Sequence, residues 1–473
     1  MLPLLAEAEH AVSMGTTLLF AGVLVALIAC LALEEKIHAK KSVIVAWFAV
    51  ISLILGAIYH LLPFGKVTVP GGHEISMPVY IPGIDWGVIA IILGSSIFVD
   101  VTSKSGLFTW IAIKLTKLSR GDPLLLLIFY GVMTVIFSAV LNNVTAMIIV
   151  GSLTGVSLER LGKKEKLLSF LLIEGLLTNI GGLLTLISSV PNIIVGTAAK
   201  ISFLQFFLTA CPYVVIATAV TLLMGAKLAG VSRLQSDEEQ LEAERLVASF
   251  DENDSIESKG FFWFGSIMTF LFVVVIAAAS ELPVVNGDEL GLGFVALGFG
   301  AIMLTRYKSV ANRFYQAVDW DLLAFFAGLF VVINVMEHAQ VLALIGKGLA
   351  YIVDLPAWAG SSSLLAASAA FSSVTDNIPL AAMLAKILSG IPEVTLADHP
   401  DGLSSLWWAV CFGANLGGNL TPIGSASTLV AVTIIHKNEI PLSFGGFVKQ
   451  AFPYAVAHIA IAIAYVLCLE FFF

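Results

Sequence analysis

The chain has 473 residues, 58% of them hydrophobic and 12% charged, with a formal net charge of −9. Soluble domains average ~25% charged and ~45–50% apolar residues, so this composition excludes a soluble fold and implies a polytopic helical membrane protein. A membrane barrel would instead show alternating segments of ~10 residues. The surplus acid sits in Gln235 to Lys259, and no basic stripe runs along the chain, which excludes a nucleic-acid partner. Cys30, Cys211, Cys411 and Cys468 lie in apolar runs without CxxC spacing and read as small buried hydrophobes.

In chain order, the first residues carry acids where a signal peptide would carry bases, so the first helix is expected to serve as the insertion signal. A spanning helix needs ~20 apolar residues. Plain candidates are 16–33, 43–62, 86–103, 203–228, 261–280, 289–305, 318–336 and 447–472. Two stretches, 167–199 and 404–436, are too long for one helix and are interrupted by Gly, Asn, Ser, Thr and Pro. Two more, 123–160 and 358–390, break at Asn142-Asn143 and Asp376-Asn377.

Lys and Arg in short loops set the orientation. Lys104, Lys114, Lys117 and Arg120 precede 123–160, and Arg160, Lys163, Lys164 and Lys166 follow it. With both ends basic, that segment reads as a re-entrant hairpin opening to the cytoplasm, and 358–390 as its mirror image. The expected organisation is N-terminal scaffold helices (1–84), a first transport repeat (85–228), an acidic cytoplasmic linker (229–260), further scaffold helices (261–317) and a second transport repeat (318–473).

The halves repeat. Asp85-Trp86 and Asp319-Trp320 are 234 residues apart, as are Asn142-Asn143 and Asp376-Asn377; Asn179-Ile180-Gly181-Gly182 and Asn415-Leu416-Gly417-Gly418 are 236 apart. An odd number of crossings intervenes, so the repeats are inverted, and broken helices at corresponding positions point to a transporter's binding site. Unwound backbone costs several kcal/mol per unsatisfied group in lipid and persists where it lines a cavity or binds something.

The candidate site therefore gathers four breaks. The first tip offers Ser138, Asn142, Asn143 and Thr145; the first broken helix offers Asn179, Gly181, Gly182 and Ser188. The second tip offers Ser373, Asp376 and Asn377; the second broken helix offers Asn415, Gly417, Gly418, Thr421 and Ser425. Helix N-termini hold anions, whereas carbonyls and a carboxylate hold Na⁺, expected here near Asn143, Asp376 and Asn377. Asp376 is a functional carboxylate by default, with helix capping as the structural alternative. Two readings stand for Asp100, which faces the core or pairs with Lys104 one turn on, and two for Glu174, functional or structurally paired; in the functional readings both join Asp376 as possible proton or cation carboxylates. Glu337 and His338 read as a solvated helix end, Trp407 and Trp408 as an aromatic belt. His10, His38, His73, His399 and His436 fall in or near loops and receive no role.

At these motifs the sequence resembles the ion transporter superfamily, with a citrate-transporter-like fold, and within it the arsenite permease and NhaD-type sodium–proton antiporter branch that includes the melanosomal P protein. The resemblance covers roughly 85–470. It rests on Ser138-Ala139-Val140-Leu141-Asn142-Asn143-Val144-Thr145, NIGGLLTLISSVPN from Asn179 to Asn192, SSVTDNIP from Ser372 to Pro379 and GANLGGNLTPIGSAS from Gly413 to Ser427. It implies an all-α protein with about ten spanning helices and two opposed re-entrant hairpins. It also implies a homodimer, elevator-like movement and coupling to Na⁺ or H⁺. Two acids of the pattern are absent: Asn142 stands at the first tip, and Ser188-Ser189-Val190-Pro191 replaces Gly-Asp-Pro-Pro.

The expected function is secondary active transport in the plasma (inner) membrane, as a Na⁺/H⁺ antiporter or cation-coupled permease, with no cofactor beyond the coupling ions. The alternative is an anion permease for an arsenite-like oxyanion or a carboxylate. The chain lacks HExxH and GxSxG, so an enzyme is not expected.

Overall fold

The computed structural model describes residues 12–62, 66–69, 73–76, 78, 80–279, 290–308, 311–391, 394 and 404–472. His10 and His399 lie outside them. The elements are α1 (Met14–Ala32), α2 (Glu34–Ile37), α3 (Lys41–Ile58), β1 (Lys66–Val69), β2 (His73–Ser76), α4 (Trp86–Ser103), α5 (Leu107–Leu118), α6 (Pro123–Val140), α7 (Asn143–Arg160), α8 (Leu167–Gly181), α9 (Val190–Ala198) and α10 (Phe203–Leu228). They continue with α11 (Asp237–Ala248), α12 (Lys259–Ala277), α13 (Gly291–Arg306), α14 (Ala311–Ala317), α15 (Trp320–His338), α16 (Val341–Val353), α17 (Ala357–Ser372), α18 (Asn377–Ser389), α19 (Ser405–Gly417), α20 (Ala426–Lys437) and α21 (Phe444–Phe472).

Among the described residues the fold is all-helical but for one small antiparallel hairpin, β1 against β2 with Lys66 opposite Ser76. Among the described residues, eight helices are long and apolar enough to cross a membrane. Seven of them match plain spans read from the sequence, and the eighth is α6. Sequence reading did not anticipate the hairpin or the short helices α5, α11 and α16. Cys411 is buried as expected, but Cys468 is exposed on apolar α21.

The breaks fall where Asn, Gly and Pro interrupt apolar runs. Pro123 opens α6, where its missing N–H costs nothing, and Asp122 caps the helix by accepting from Leu124 N and Leu125 N at 3.0 Å. Only Leu141 and Asn142 separate α6 from α7, and residues 373–376 separate α17 from α18. The long stretches each break over eight residues, 182–189 between α8 and α9, and 418–425 between α19 and α20.

The chain forms two compact units. One comprises Met1–Trp86 with Trp320–Tyr351, the other Gly87–Asp319 with Ile352–Phe473. In the first, α3 packs on α15, and Gly328 lets them close in, since a Cβ there would lie 2.9 Å from Val45 Cγ1. In the second, a Cβ on Gly94 would lie 2.3 Å from the Ala296 carbonyl carbon. Gly94 and Gly328 are 234 residues apart, so the repeat reappears as one close helix contact in each unit. All four broken elements belong to the second unit.

Candidate functional site

The broken elements repeat bond for bond. Ser138 of α6 donates to Thr178 O on α8 (2.6 Å), and Ser372 of α17 donates to Ala414 O on α19 (2.5 Å). Thr185 donates to Ala139 O and Thr421 to Ser373 O, both at 2.6 Å. Asn192 holds Gly182 O and Thr185 O at 2.6 and 2.9 Å; Thr428 Oγ1 lies 3.5 Å from both Gly418 O and Thr421 O. These pairs supply donors to carbonyls in the unwound turns and in the helix ends beside them. Glycine allows the approach: a Cβ on Gly181 would meet Val135 O at 2.6 Å, and one on Gly417 would meet Ala369 O at 2.3 Å.

Two asparagines join the halves. Asn179 Nδ2 donates to Asn419 Oδ1 (2.8 Å) and Ser425 Oγ (2.9 Å), while its Oδ1 accepts from Ser427 Oγ (2.9 Å) and, at 3.5 Å, from Asn143 Nδ2. Reciprocally, Asn415 accepts from Ser189 Oγ (2.6 Å) and donates to Asn192 Oδ1 (2.9 Å). At the first tip Ser138 Oγ also lies 2.7 Å from Asn143 Oδ1, and a Cβ on Gly182 would lie 2.7 Å from that oxygen. Of the predicted residues, Ser138, Asn143, Asn179, Gly181, Gly182, Ser188, Asn415 and Ser425 thus meet around one crossing. Ser373, Gly417, Gly418 and Thr421 build the corresponding turn of the second half.

The tip residues cap. Asn142 accepts from Thr145 N (2.8 Å) to start α7, and Asp376 accepts from Ile378 N (3.0 Å) to start α18. Asn142 is exposed; Asn143, Asp376 and Asn377 are half-buried. Asp100 lies on α4 within electrostatic reach of Lys104, outside the Asn179–Asn415 crossing. Glu174 is fully buried on α8 and accepts from Thr154 Oγ1 at 2.6 Å.

One residue escaped the sequence reading. His458, fully buried on α21, bonds Asn419 through Nδ1 (3.2 Å) and Thr221 of α10 through Nε2 (2.7 Å). Its signal is present in the sequence, since an ionisable side chain within an apolar span is a functional pointer, but the apolar run 447–472 otherwise reads as a plain span. Among the described residues, no group of three or more His, Cys, Asp or Glu could hold a metal ion.

The citrate transporter family matches residues 30–413. The chain belongs to that family. The match agrees with the superfamily that the motifs resembled, and it makes the protein a membrane transporter rather than an enzyme. It is 30% identical over 386 residues to an uncharacterized transporter of Mycobacterium bovis, covering 81% of this chain and 86% of the relative. In fold it is similar to the YdaH transporter of Alcanivorax borkumensis (TM-score 0.60, 13% identity, 92% of this chain and 99% of that one). It is also similar to MtrF of Neisseria gonorrhoeae (TM-score 0.55, 13% identity, 90% and 94%).

Proposed function

We propose that this family member exchanges Na⁺ for H⁺, or works as a closely related cation-coupled permease, by elevator-type alternating access. The observation that carries this reading is the composition of the crossing. Amide, hydroxyl and carbonyl oxygens converge there with no Lys or Arg among them, and the second tip adds the Asp376 carboxylate. Hard oxygen donors suit a hard cation. In this reading Na⁺ lies near Asn143, Thr145, Asp376 and Asn377, and a proton on Asp376 competes with it.

The pairs α6–α7 and α17–α18 act as opposed re-entrant hairpins, the first opening to the cytoplasm, where its flanking Arg120, Arg160, Lys163, Lys164 and Lys166 belong. The protein works as a homodimer in the plasma (inner) membrane, with no cofactor beyond the coupling ions. In this reading it works like the NhaD-type branch that its motifs resemble.

A second reading, an oxyanion or carboxylate permease, is favoured by the family's description as citrate transporters. The unwound turns before α9 and α20 add helix N-termini that suit an anion. The test uses purified protein in liposomes with a trapped pH dye and pulses of Na⁺, Li⁺ and K⁺. Proton flux evoked by Na⁺ or Li⁺, and lost in Asp376→Asn, is expected. Silence in the wild type sinks the exchange reading, and uptake of radiolabelled citrate with and without Na⁺ then tests the permease.

A further inference from the structure

Away from the crossing, the first hairpin holds a second polar assembly. Thr116 of α5 lies 2.6 Å from Tyr130 Oη on α6, and Tyr130 Oη lies 2.7 Å from Ser157 Oγ on α7. One helical turn back along α7, on the same face, Thr154 donates to Glu174 Oε1 at 2.6 Å. All five residues are fully buried. The second carboxyl oxygen of Glu174 is buried with no hydrogen-bond partner.

Helix gluing does not account for that oxygen. Glutamine would accept the Thr154 bond equally well, without a group that is expensive to ionise away from water. Among the described residues of the helices packed on α8, no basic side chain is paired with the carboxylate. The helices packed on α8 carry their charges at their ends: Glu159 and Arg160 on α7, Lys227 on α10, His436 and Lys437 on α20, and Lys164, Glu165 and Lys166 just before α8 itself. Of the other titratable groups, Cys411 lies on α19, Cys211 and Tyr213 lie on α10, and Tyr130 on α6 lies within electrostatic reach of Glu174. Burying an unpaired carboxylate is expensive, and a proton on Glu174 would remove that charge. Glu174 also sits one turn before Thr178 on α8, and the Thr178 carbonyl is part of the oxygen set around Ser138 and Asn143.

We propose that Glu174 is a second proton-carrying carboxylate of this transporter, served by the Thr116–Tyr130–Ser157–Thr154 hydroxyl ladder. It deepens the exchange reading above and rests on it. When a cation enters the oxygen set one turn away, the Glu174 O–H bond breaks and its electron pair stays on the carboxylate. For the proton to leave, the Thr154 hydroxyl turns from donor to acceptor, one water bridges the helical turn from Thr154 to Ser157, and a second water takes the proton from Thr116 to the bulk. One proton leaves Glu174 as the cation arrives, beside the proton that Asp376 gives up.

The test is infrared difference spectroscopy of the reconstituted protein at fixed neutral pH, replacing choline chloride with sodium chloride. It is applied to wild type, Glu174→Gln, Asp376→Asn and Tyr130→Phe. The expected result is loss of protonated-carboxyl absorbance on Na⁺ addition in wild type that is smaller, but not absent, in Glu174→Gln, where Asp376 alone contributes, and smaller in Asp376→Asn, where Glu174 alone contributes. In the liposome assay, Tyr130→Phe keeps the half-saturating Na⁺ concentration and slows the proton flux. A Na⁺-dependent carboxyl signal identical in wild type and Glu174→Gln overturns the assignment to Glu174 while leaving exchange at Asp376 intact. Absence of any Na⁺ response in the wild type overturns both. Unslowed flux in Tyr130→Phe removes the ladder, and that measurement needs no folded Glu174 variant.

Discussion

The two halves of the molecule share a bond pattern and differ in where they keep an acid. Ser138 and Ser372, Thr185 and Thr421, and Gly181 and Gly417 do equivalent jobs around equivalent unwound turns. The first tip, however, presents Asn142 and the second Asp376, each as the cap of the following helix. The first half keeps its carboxylate as Glu174, inside α8 rather than at the tip. The comparison teaches that the shared bonds maintain the break, while the unshared acids are what distinguish one half chemically from the other.

The sharpest break of that comparison makes the tips alike. Asp376→Asn retains a capping side chain, because Asn and Asp cap about equally, so the fold is expected to survive. Na⁺-evoked proton flux is expected to vanish. Moving the acid across, with Asn142→Asp added to Asp376→Asn, is expected to recover part of the flux in the liposome assay. No recovery would mean that the halves are not interchangeable despite their matching caps.

Next in size are the paired glycines. In Gly417→Ala the new methyl meets backbone, Ala369 O at 2.3 Å, and also Ser372 Cβ at 2.6 Å, neither of which can swing away. Gly181→Ala meets Val135 O at 2.6 Å. Overpacking of this kind costs ~1–3 kcal/mol. Both variants should melt lower than wild type in detergent, Gly417→Ala the lower of the two. Equal melting temperatures would show that the tighter approach in the second half carries no extra weight.

His458 has no partner in the shared pattern, and it links Asn419 to Thr221 only in the second half's final helix. His458→Phe removes one bond from each of two buried polar groups. That costs ~1–3 kcal/mol, at the lower end because Thr221 also bonds Ala217 O and Asn419 keeps Asn179. A thermal melt checks it. A melt unchanged from wild type would mean that the histidine does not brace the crossing.

The breaks were legible because punctuation in an apolar run is conspicuous. Gly181-Gly182, Gly417-Gly418 and the Asn tips each interrupt a stretch that lipid would otherwise hold helical, and their spacing of 234 or 236 residues disclosed the repeat. What sequence did not disclose were pairings made by folding. Asn179 finds Asn419 across 240 positions and Thr221 finds His458 across 237. Glu174 was visible as an acid in an apolar helix, but neither Thr154 as its partner nor the unmet second oxygen could be read from the chain. The helix α11 was hidden in what looked like an acidic linker, although Ser236 followed by Asp237, Glu238 and Glu239 is a helix start with acids at the favourable end of the dipole.

That linker supplies the smallest effect. Phe250 and Val247 pack with Ile113 of α5 and with Leu153 and Leu161 at the base of the first hairpin, and the Arg160 guanidinium lies 4.4 Å from the Phe250 ring centre. Glu252 pairs with Lys114 and Lys117, and hydrogen bonds first from Lys114 and then from Lys117 hold its carboxyl down to about 2, from an ordinary 4.5. A depressed carboxylate contributes to docking above its ordinary value and loses that contribution as pH falls from about 4.5 toward about 2. At neutral pH the pair is intact, and salt weakens it because it is solvent-accessible. Hydrogen exchange across residues 231–258 should therefore quicken in Glu252→Gln at neutral pH, and in wild type on acidification through that window. The apolar contacts of Phe250 and Val247 persist in both cases, so the change should be modest and confined to the linker. Unchanged exchange in Glu252→Gln would assign the docking to those apolar contacts alone, and the first hairpin would then be braced at its base as it is at its tip, by close packing rather than by charge.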